Sequence, residues 1–304
     1  MNTFDPDALE CLAAIVEEGG FERAARRLSI TQSAVSQRLR ALEAQVGTVL
    51  IVRSRPLKAT SAGQLLLKHT RMLRLLRADL ERDLKELAPS SLRGAHEEER
   101  ISIAINADSI ATWALPALNA LAGQGLPMEI VTDDQDFTHE WLRQGQVLGC
   151  VTTLRQALRG CRVVPLGAMA YIAVATPALA RQKLADNVLT AHNFRDITFV
   201  AFNRKDDMQS EFVGKAFGLK RVTLNQLFVP SSEGQVRAVL AGWGASVVPR
   251  LLTQPLLDQG LLVDVAPGCI LPIQLYWHCW NLESDVLDAL SLALTRAAAV
   301  ALAT

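Results

Sequence analysis

The chain has 304 residues, half of them apolar, with 31 basic and 31 acidic side chains and a formal net charge of zero. That length allows two or three domains of about 100–200 residues, each with a real core. No apolar run reaches the ~18 residues a membrane helix needs. The acidic N-terminus MNTFDPDALE lacks the apolar stretch of a secretion signal, so a soluble cytoplasmic protein is expected.

In chain order, Asp5 or Asp7 can cap a first helix that carries Leu9, Leu12, Ile15 and Val16 on one face and ends at Gly19-Gly20. Two short amphipathic patterns follow, over 21–28 and from Gln32 onward, joined by the turn Ser29-Ile30-Thr31. The first places Ala24, Ala25 and Leu28 at helical spacing. The second has Ala34, Val35, Leu39 and Leu42 on one face and Gln32, Ser33, Ser36, Gln37 and Arg40 on the other. Small residues at 24 and 25 let two helices cross closely, which is the helix-turn-helix arrangement whose second helix enters the DNA major groove. Gln can pair bidentately with adenine, Arg with guanine, and Ser with bases or phosphates. An ordinary solvated helix would show the same face, but the charge distribution favours DNA. Residues 21–77 hold twelve bases against two acids, a net +10; the remainder holds nineteen against twenty-nine, a net −10. A basic segment on an acidic body is the electrostatic footprint of a nucleic-acid reader.

Gly47 ends that helix. Residues 49–53 read as a strand, Ser54-Arg55-Pro56 as a turn and 57–59 as a return strand, a candidate wing offering Arg53, Arg55 and Lys58. Thr60 or Ser61 then caps a long helix reaching about residue 88, with Leu66, Leu73, Leu80 and Leu87 at intervals of seven. Its apolar stripe needs a cover: a second copy of the chain, which would suit a two-fold operator, or the chain's own C-terminal part. A polar stretch over 89–100 reads as a hinge.

From Ile101 strands and helices alternate. Strands are expected at 101–105, 128–132, 147–152, 163–166, 171–175, 198–202, 224–229, 245–248 and 272–277. Helices are expected at 111–121, 137–143, 206–217, 232–241 and 283–301. This pattern gives the fold class as α/β, an open sheet with helices on both faces and two lobes about a cleft. Five cysteines, odd in number and without CxxC spacing, argue against a disulfide framework or a zinc site. No HExxH, GxSxG or GxxxxGK[ST] motif is present, so no enzyme and no cofactor is expected. Ligands of open α/β sheets bind beyond the carboxyl ends of strands, often at helix N-termini. Three strand-to-helix junctions here are rich in small polar groups: Asn106-Ala107-Asp108-Ser109, residues 203–207 with Asp206 and Asp207, and Ser231-Ser232-Glu233. Asp133 and Asp134 follow a further strand. Backbone N–H groups at such junctions suit an anion and the surplus carboxylates suit a cation, so a basic amino acid would satisfy both. Each acid alone could equally be a helix cap.

The segments FERAARRLSITQSAVSQRLRALE and VLIVRSRPLKAT, the long helix and the two-lobed α/β part together resemble the LysR-type transcriptional regulators over nearly the whole length. The segments ITQSAVSQR, AINADSIATWALPAL, LRQGQVLGCVTT, PLGAMAYIAVATP and LYWH resemble the ArgP/LysG branch, also called chromosome replication initiation inhibitors. The resemblance implies a winged helix-turn-helix over 1–59, a linker and dimerisation helix over 60–88 and a hinge over 89–100. A periplasmic-binding-protein-like effector domain would follow over 101–304, with one lobe about 101–170 and 270–304 and the other about 171–269. It also implies a homodimer, a dimer of dimers on double-stranded promoter DNA, lysine or arginine as effector, and basic amino-acid export or metabolism genes as targets. RNA polymerase is a further partner, and the location is cytoplasmic with the nucleoid. The DNA contacts the resemblance implies are Gln32, Ser33, Ser36, Gln37, Arg38 and Arg53; Thr31, Arg40, Arg55 and Lys58 complete the expected set. The effector pocket would draw on Asn106, Asp108, Ser109, Thr152, Asp206 and Ser232. The competing reading is an effector-independent architectural DNA binder that inhibits replication initiation.

Overall fold

The computed structural model describes residues 4–52, 54, 57–87, 100–133 and 137–302. Arg53, Arg55, Asp134 and all but Arg100 of the expected hinge lie outside the described residues.

Helix α1 (Pro6–Glu17) starts at Asp5, whose carboxylate accepts the Asp7 N–H at 3.1 Å and satisfies a donor that the first turn leaves free. Its Leu9, Leu12 and Ile15 are buried. Helices α2 (Phe21–Arg27) and α3 (Gln32–Val46) carry Ala24 and Ala25 on one side and Val35, Leu39 and Leu42 on the other, all buried in one core with α1. Ala34, expected in that core, is only half-buried. Thr31 caps α3 by accepting the Ala34 N–H at 3.2 Å. Gly47, at φ 77°, ends it in the left-handed backbone region that glycine enters without a Cβ penalty. Strands β1 (Ile51–Val52) and β2 (Lys58–Ala59) pair antiparallel, a shorter hairpin than the sequence suggests.

Helix α4 (Ser61–Leu87) begins where Thr60 Oγ1 accepts the Gly63 N–H at 3.1 Å. Its 27 residues extend about 40 Å at 1.5 Å per residue. Its apolar surface is divided. Leu67 enters the N-terminal core and Leu75 the core of the C-terminal part, whereas Leu65, Leu73, Leu76, Leu80 and Leu84 are exposed.

The C-terminal part begins with β3 (Ile101–Asn106). A continuous helical run follows: α5 (Ala107–Ser109), a π turn (Ile110–Ala114) and α6 (Leu115–Gly123). Then come β4 (Met128–Asp133), α7 (Thr138–Arg143), β5 (Gly149–Thr152), β6 (Cys161–Ala175) and α8 (Pro177–Lys183). Next are β7 (Thr198–Ala201), α9 (Met208–Phe217), β8 (Asn225–Phe228), α10 (Ser232–Leu240) and β9 (Ser246–Pro249). The chain closes with α11 (Arg250–Asp258), β10 (Val263–Asp264), β11 (Leu271–Trp280) and α12 (Asp285–Ala301). One mixed sheet runs in the order β10-β6-β11-β5-β3-β4, with β9 also on β6, and β7-β8 form a small parallel pair. Strand β6 spans both halves. Residues 161–171 pair with β11, and residues 171–175 pair with β9 and β10.

The sequence splits β6 into two strands because Pro165 and Gly167 interrupt it. The structure carries one strand through, with a register shift opposite them at Leu275/Tyr276. The sequence reading also omits α8, α11 and β10. Helix α11 holds Pro255 inside it and β10 is two residues long, so neither shows a clean periodicity.

Candidate functional site

The first surface is that of α3. Thr31, Gln32, Ser33, Gln37 and Arg40 are exposed and Ser36 is half-buried, so the polar face expected to read DNA does face outward. Thr31 is engaged in capping and meets the Ser33 hydroxyl at 2.9 Å. Lys58 is exposed on the hairpin. Arg38 lies beside α1: it pairs with Asp7 at 3.0 Å and reaches Cys11, while 38 % of its side chain stays exposed.

The second site is the cleft. Strands β3 and β4 run parallel and end in register at Asn106 and Asp133. From the other half come the turn after β7, the start of α9 and the start of α10. A cavity of about 30 Å³ lies between them, lined by Asn106, Ala107, Asp108, Tyr171, Phe202, Asp206, Met208, Gln235 and Val247. That is room for about one water, so a larger ligand requires the two sides to part. Tyr171, on the shared strand, donates from its hydroxyl to Asp108 Oδ2 at 2.5 Å. Burial raises the Asp108 carboxyl above the ordinary carboxylate range; the Ser232 and Tyr171 hydroxyls act against the shift, and the Asp206 charge across the cleft adds to it.

Three buried polar side chains on these elements stand apart. Asn106 is 1 % exposed, Ser109 0 % and Ser232 3 %. Asn106 Oδ1 and Nδ2 and Ser109 Oγ have no hydrogen-bond partner, and the Ser232 hydroxyl, otherwise without a partner, is near enough to Asp108 to act on its carboxyl. Each such group costs about 1–3 kcal/mol, a cost native proteins carry where a ligand or catalytic role needs it.

The other expected residues divide. Asp206 is spent locally, accepting the Phe202 and Met208 N–H groups at 2.9 Å each. Ser231 caps α10 by accepting the Gly234 N–H at 3.1 Å. Asp207 and Glu233 are exposed, and Glu233 lies 3.8 Å from Arg237 on its own helix. Thr152 is buried at the end of β5, accepting the Leu154 N–H at 3.3 Å, and does not line the cavity. Asp133 accepts from Trp141 Nε1 at 3.1 Å and lines a second, wider hollow of about 500 Å³ with Phe137, Glu140, Trp141, Gln144, Asn203, Arg204 and Lys205. Lys205 Nζ sits 5.1 Å from the Phe137 ring centre. Sequence reasoning missed Tyr171, Gln235, Phe202 and Met208. Tyr171 had a signal, being one of only two tyrosines and standing in an otherwise apolar run.

Comparison with known proteins decides the family. Residues 6–64 match the bacterial regulatory helix-turn-helix of the lysR family, and residues 94–298 match the LysR substrate binding domain. The chain belongs to the LysR family. The HTH-type transcriptional regulator ArgP of Aeromonas salmonicida is 39 % identical over 295 residues, 97 % of this chain and 96 % of that protein. The crystal structure of ArgP from Mycobacterium tuberculosis superposes with a TM-score of 0.84 at 38 % identity, covering 99 % of each chain. Full-length LysG from Corynebacterium glutamicum with bound effector Arg gives 0.75 at 34 % identity, covering 99 % of this chain and all of that one. This LysR protein therefore sits in the ArgP/LysG branch, as an effector-controlled transcriptional regulator with a DNA-binding head and an effector domain. The relatives are named regulators, which places the chain with them and not with enzymes.

Proposed function

We propose that this regulator senses L-arginine or L-lysine in the cleft between the two halves of its effector domain. The observation that carries the reading is the buried, unpartnered Asn106 side chain lining the cavity with Asp108, with the Ser232 hydroxyl close to that carboxyl. The arginine in the LysG relative supports the class of ligand. The inner end suits the α-ammonium and α-carboxylate: Asp108 faces the cation, and the first N–H groups of α5 and α10 face the anion. Asn106 and Asp133 are paired on neighbouring strands about 4.8 Å apart. A basic side chain leaving the inner end thus passes Asp133 toward Glu140 and the Trp141 ring.

DNA reading belongs to Thr31, Gln32, Ser33, Ser36, Gln37, Arg38 and Arg40, joined by Arg53, Arg55 and Lys58; Arg38 also pairs with Asp7 of α1. The exposed leucines of α4 pair with those of a second copy, giving the homodimer that a two-fold operator requires. Two dimers on one promoter, RNA polymerase as the responding partner and basic amino-acid export genes as targets complete the reading. The head spans 1–59, the linker helix 60–88 and the effector domain 101–304, with lobes of 101–170 plus 270–304 and of 171–269.

Thermal melting with each amino acid tests the effector. A ligand that binds only the folded state must raise the melting temperature. No shift with either arginine or lysine at roughly a hundred times a micromolar Kd would sink the proposal.

A further inference from the structure

Helix α7 forms one wall of the wider cleft through Glu140 and Trp141, and Gln144 follows on the same wall. The next residue, Gly145, has φ 68° and presses on the linker helix; a Cβ there would lie 2.5 Å from Lys68 Cβ and 2.8 Å from Lys68 Cα. The Gly145 carbonyl accepts a hydrogen bond from Arg71 Nη1 of α4. The other arm of the same guanidinium, Nη2, lies 3.4 Å from Glu17 Oε1 at the end of α1. Glu17 also holds Arg74 at 3.2 Å and Arg27, the last residue of α2, at 2.8 Å. One fork, with only 16 % of its side chain exposed, thus touches the cleft wall's turn and the carboxylate that anchors the helix preceding α3. Arginine's fixed planar fork can hold two acceptors at once where a lysine cannot. Burial alone would raise the Glu17 carboxyl, but the Arg74, Arg71 and Arg27 charges outweigh it and hold it below the ordinary range.

We propose that Arg71 is the positioning residue that couples the effector cleft to the DNA-reading head, through Gly145 on one side and Glu17 on the other. Parting or closing of the cleft moves α7 and with it the Gly145 carbonyl. Arg71 then shifts against Glu17, and Arg27 carries the shift to α2 and α3. The proposal rests on the reading of the cleft as the effector site. Coupling of this kind is reciprocal, so DNA on the head must also be felt at α7.

Hydrogen exchange on the full-length protein and on the R71Q variant tests it with two probes, L-arginine and a random-sequence DNA duplex at low salt. In the wild type, arginine changes exchange at 106–109 and 232–235 locally and at 5–28 across the molecule. The duplex changes exchange at 32–40 locally and at 138–149 across it. In R71Q both local effects persist and both distant effects fall from about fivefold or more to none. E17Q, which keeps the Gly145 contact, gives the same loss. Should R71Q not fold, R71K, which keeps the charge and loses the fork, decides by the same readings. Distant effects that survive in R71Q and E17Q, or a wild type in which the duplex leaves 138–149 unchanged, overturn the coupling role. A wild type in which arginine leaves 106–109 and 232–235 unchanged sinks only the effector reading, because the duplex still decides the coupling.

Discussion

The two ends of this regulator use polar side chains in opposite ways. In the head, Gln32, Ser33, Gln37 and Arg40 stand outward on α3, and among the described residues the head has no buried polar atom without a partner. In the effector domain, Asn106, Ser109 and Ser232 are turned inward and left unpaired. A macromolecule is read on a surface that water can satisfy until it arrives. A small ligand is read by interior groups whose burial without partners the rest of the fold must offset. The core of the head, with Leu12, is also distinct from the two of the effector domain, one with Trp277 and one with Val248, and α4 contributes Leu67 to the first and Leu75 to the second.

That comparison can be broken in several ways. The largest effect is expected from Leu12→Ala, which opens a cavity in the head core where the side chain is fully buried. It should cost about 2–5 kcal/mol in urea unfolding of the head while arginine still stabilises the effector domain. A single joint transition with arginine binding lost would deny the separation. Next, Asn106→Ala should weaken arginine binding by about 10–100-fold, through the loss of hydrogen bonds worth about 1–3 kcal/mol. Without ligand it should melt at the same temperature or higher, since it removes two unpaired buried atoms. A lower melting temperature with unchanged affinity would make Asn106 structural.

In the head, Gln37→Ala should relax base preference and Arg40→Ala should reduce the salt slope, each at about 1–3 kcal/mol or less in gel shifts. Gel shifts unaltered in both variants would remove α3 from the interface. The smallest effect concerns pH. Burial lowers the His278 pKa below 6.5; its bond to the Leu154 carbonyl acts against this and the His139 charge adds to it. A depressed folded value means the stabilisation is complete above 6.5 and is lost as pH falls through 6.5 toward the folded value. His278→Asn should therefore flatten the fall in melting temperature between about pH 7.5 and about pH 5.5. An unchanged slope would assign the fall to other groups.

Much of the head was legible because its signals are local: a cap at Thr31, a helical period through Val35, Leu39 and Leu42, and a stop at Gly47. The cleft was legible only in part. Asn106, Asp108 and Ser232 stand at strand-to-helix junctions, where physics favours ligands, and the structure does bring them near one another, while Ser109 is buried and does not line the cavity. Asp206 lines the cavity as well but also holds its own turn, and Ser231 is engaged in capping α10. Arg38 shares the polar half of α3 with Gln37 yet points to Asp7, a distinction that depends on where α1 starts in space. Tyr171 and Gln235 enter the site from β6 and α10, far apart in the chain, and only the sheet order of β6 against β9 brings them there. Composition at a junction thus marks where a site can be, and packing decides which of its groups remain free.

The most direct test is a calorimetric titration of the full-length protein with L-arginine, L-lysine, citrulline and norleucine. Citrulline keeps the length of arginine without its charge, and norleucine keeps the four-carbon chain of lysine without its ammonium group. Binding of the two cationic amino acids, with citrulline and norleucine weaker by about tenfold or more, is the result expected of the Asp133–Glu140 side of the cleft. Equal binding of citrulline, or no binding by any of the four, would contradict it.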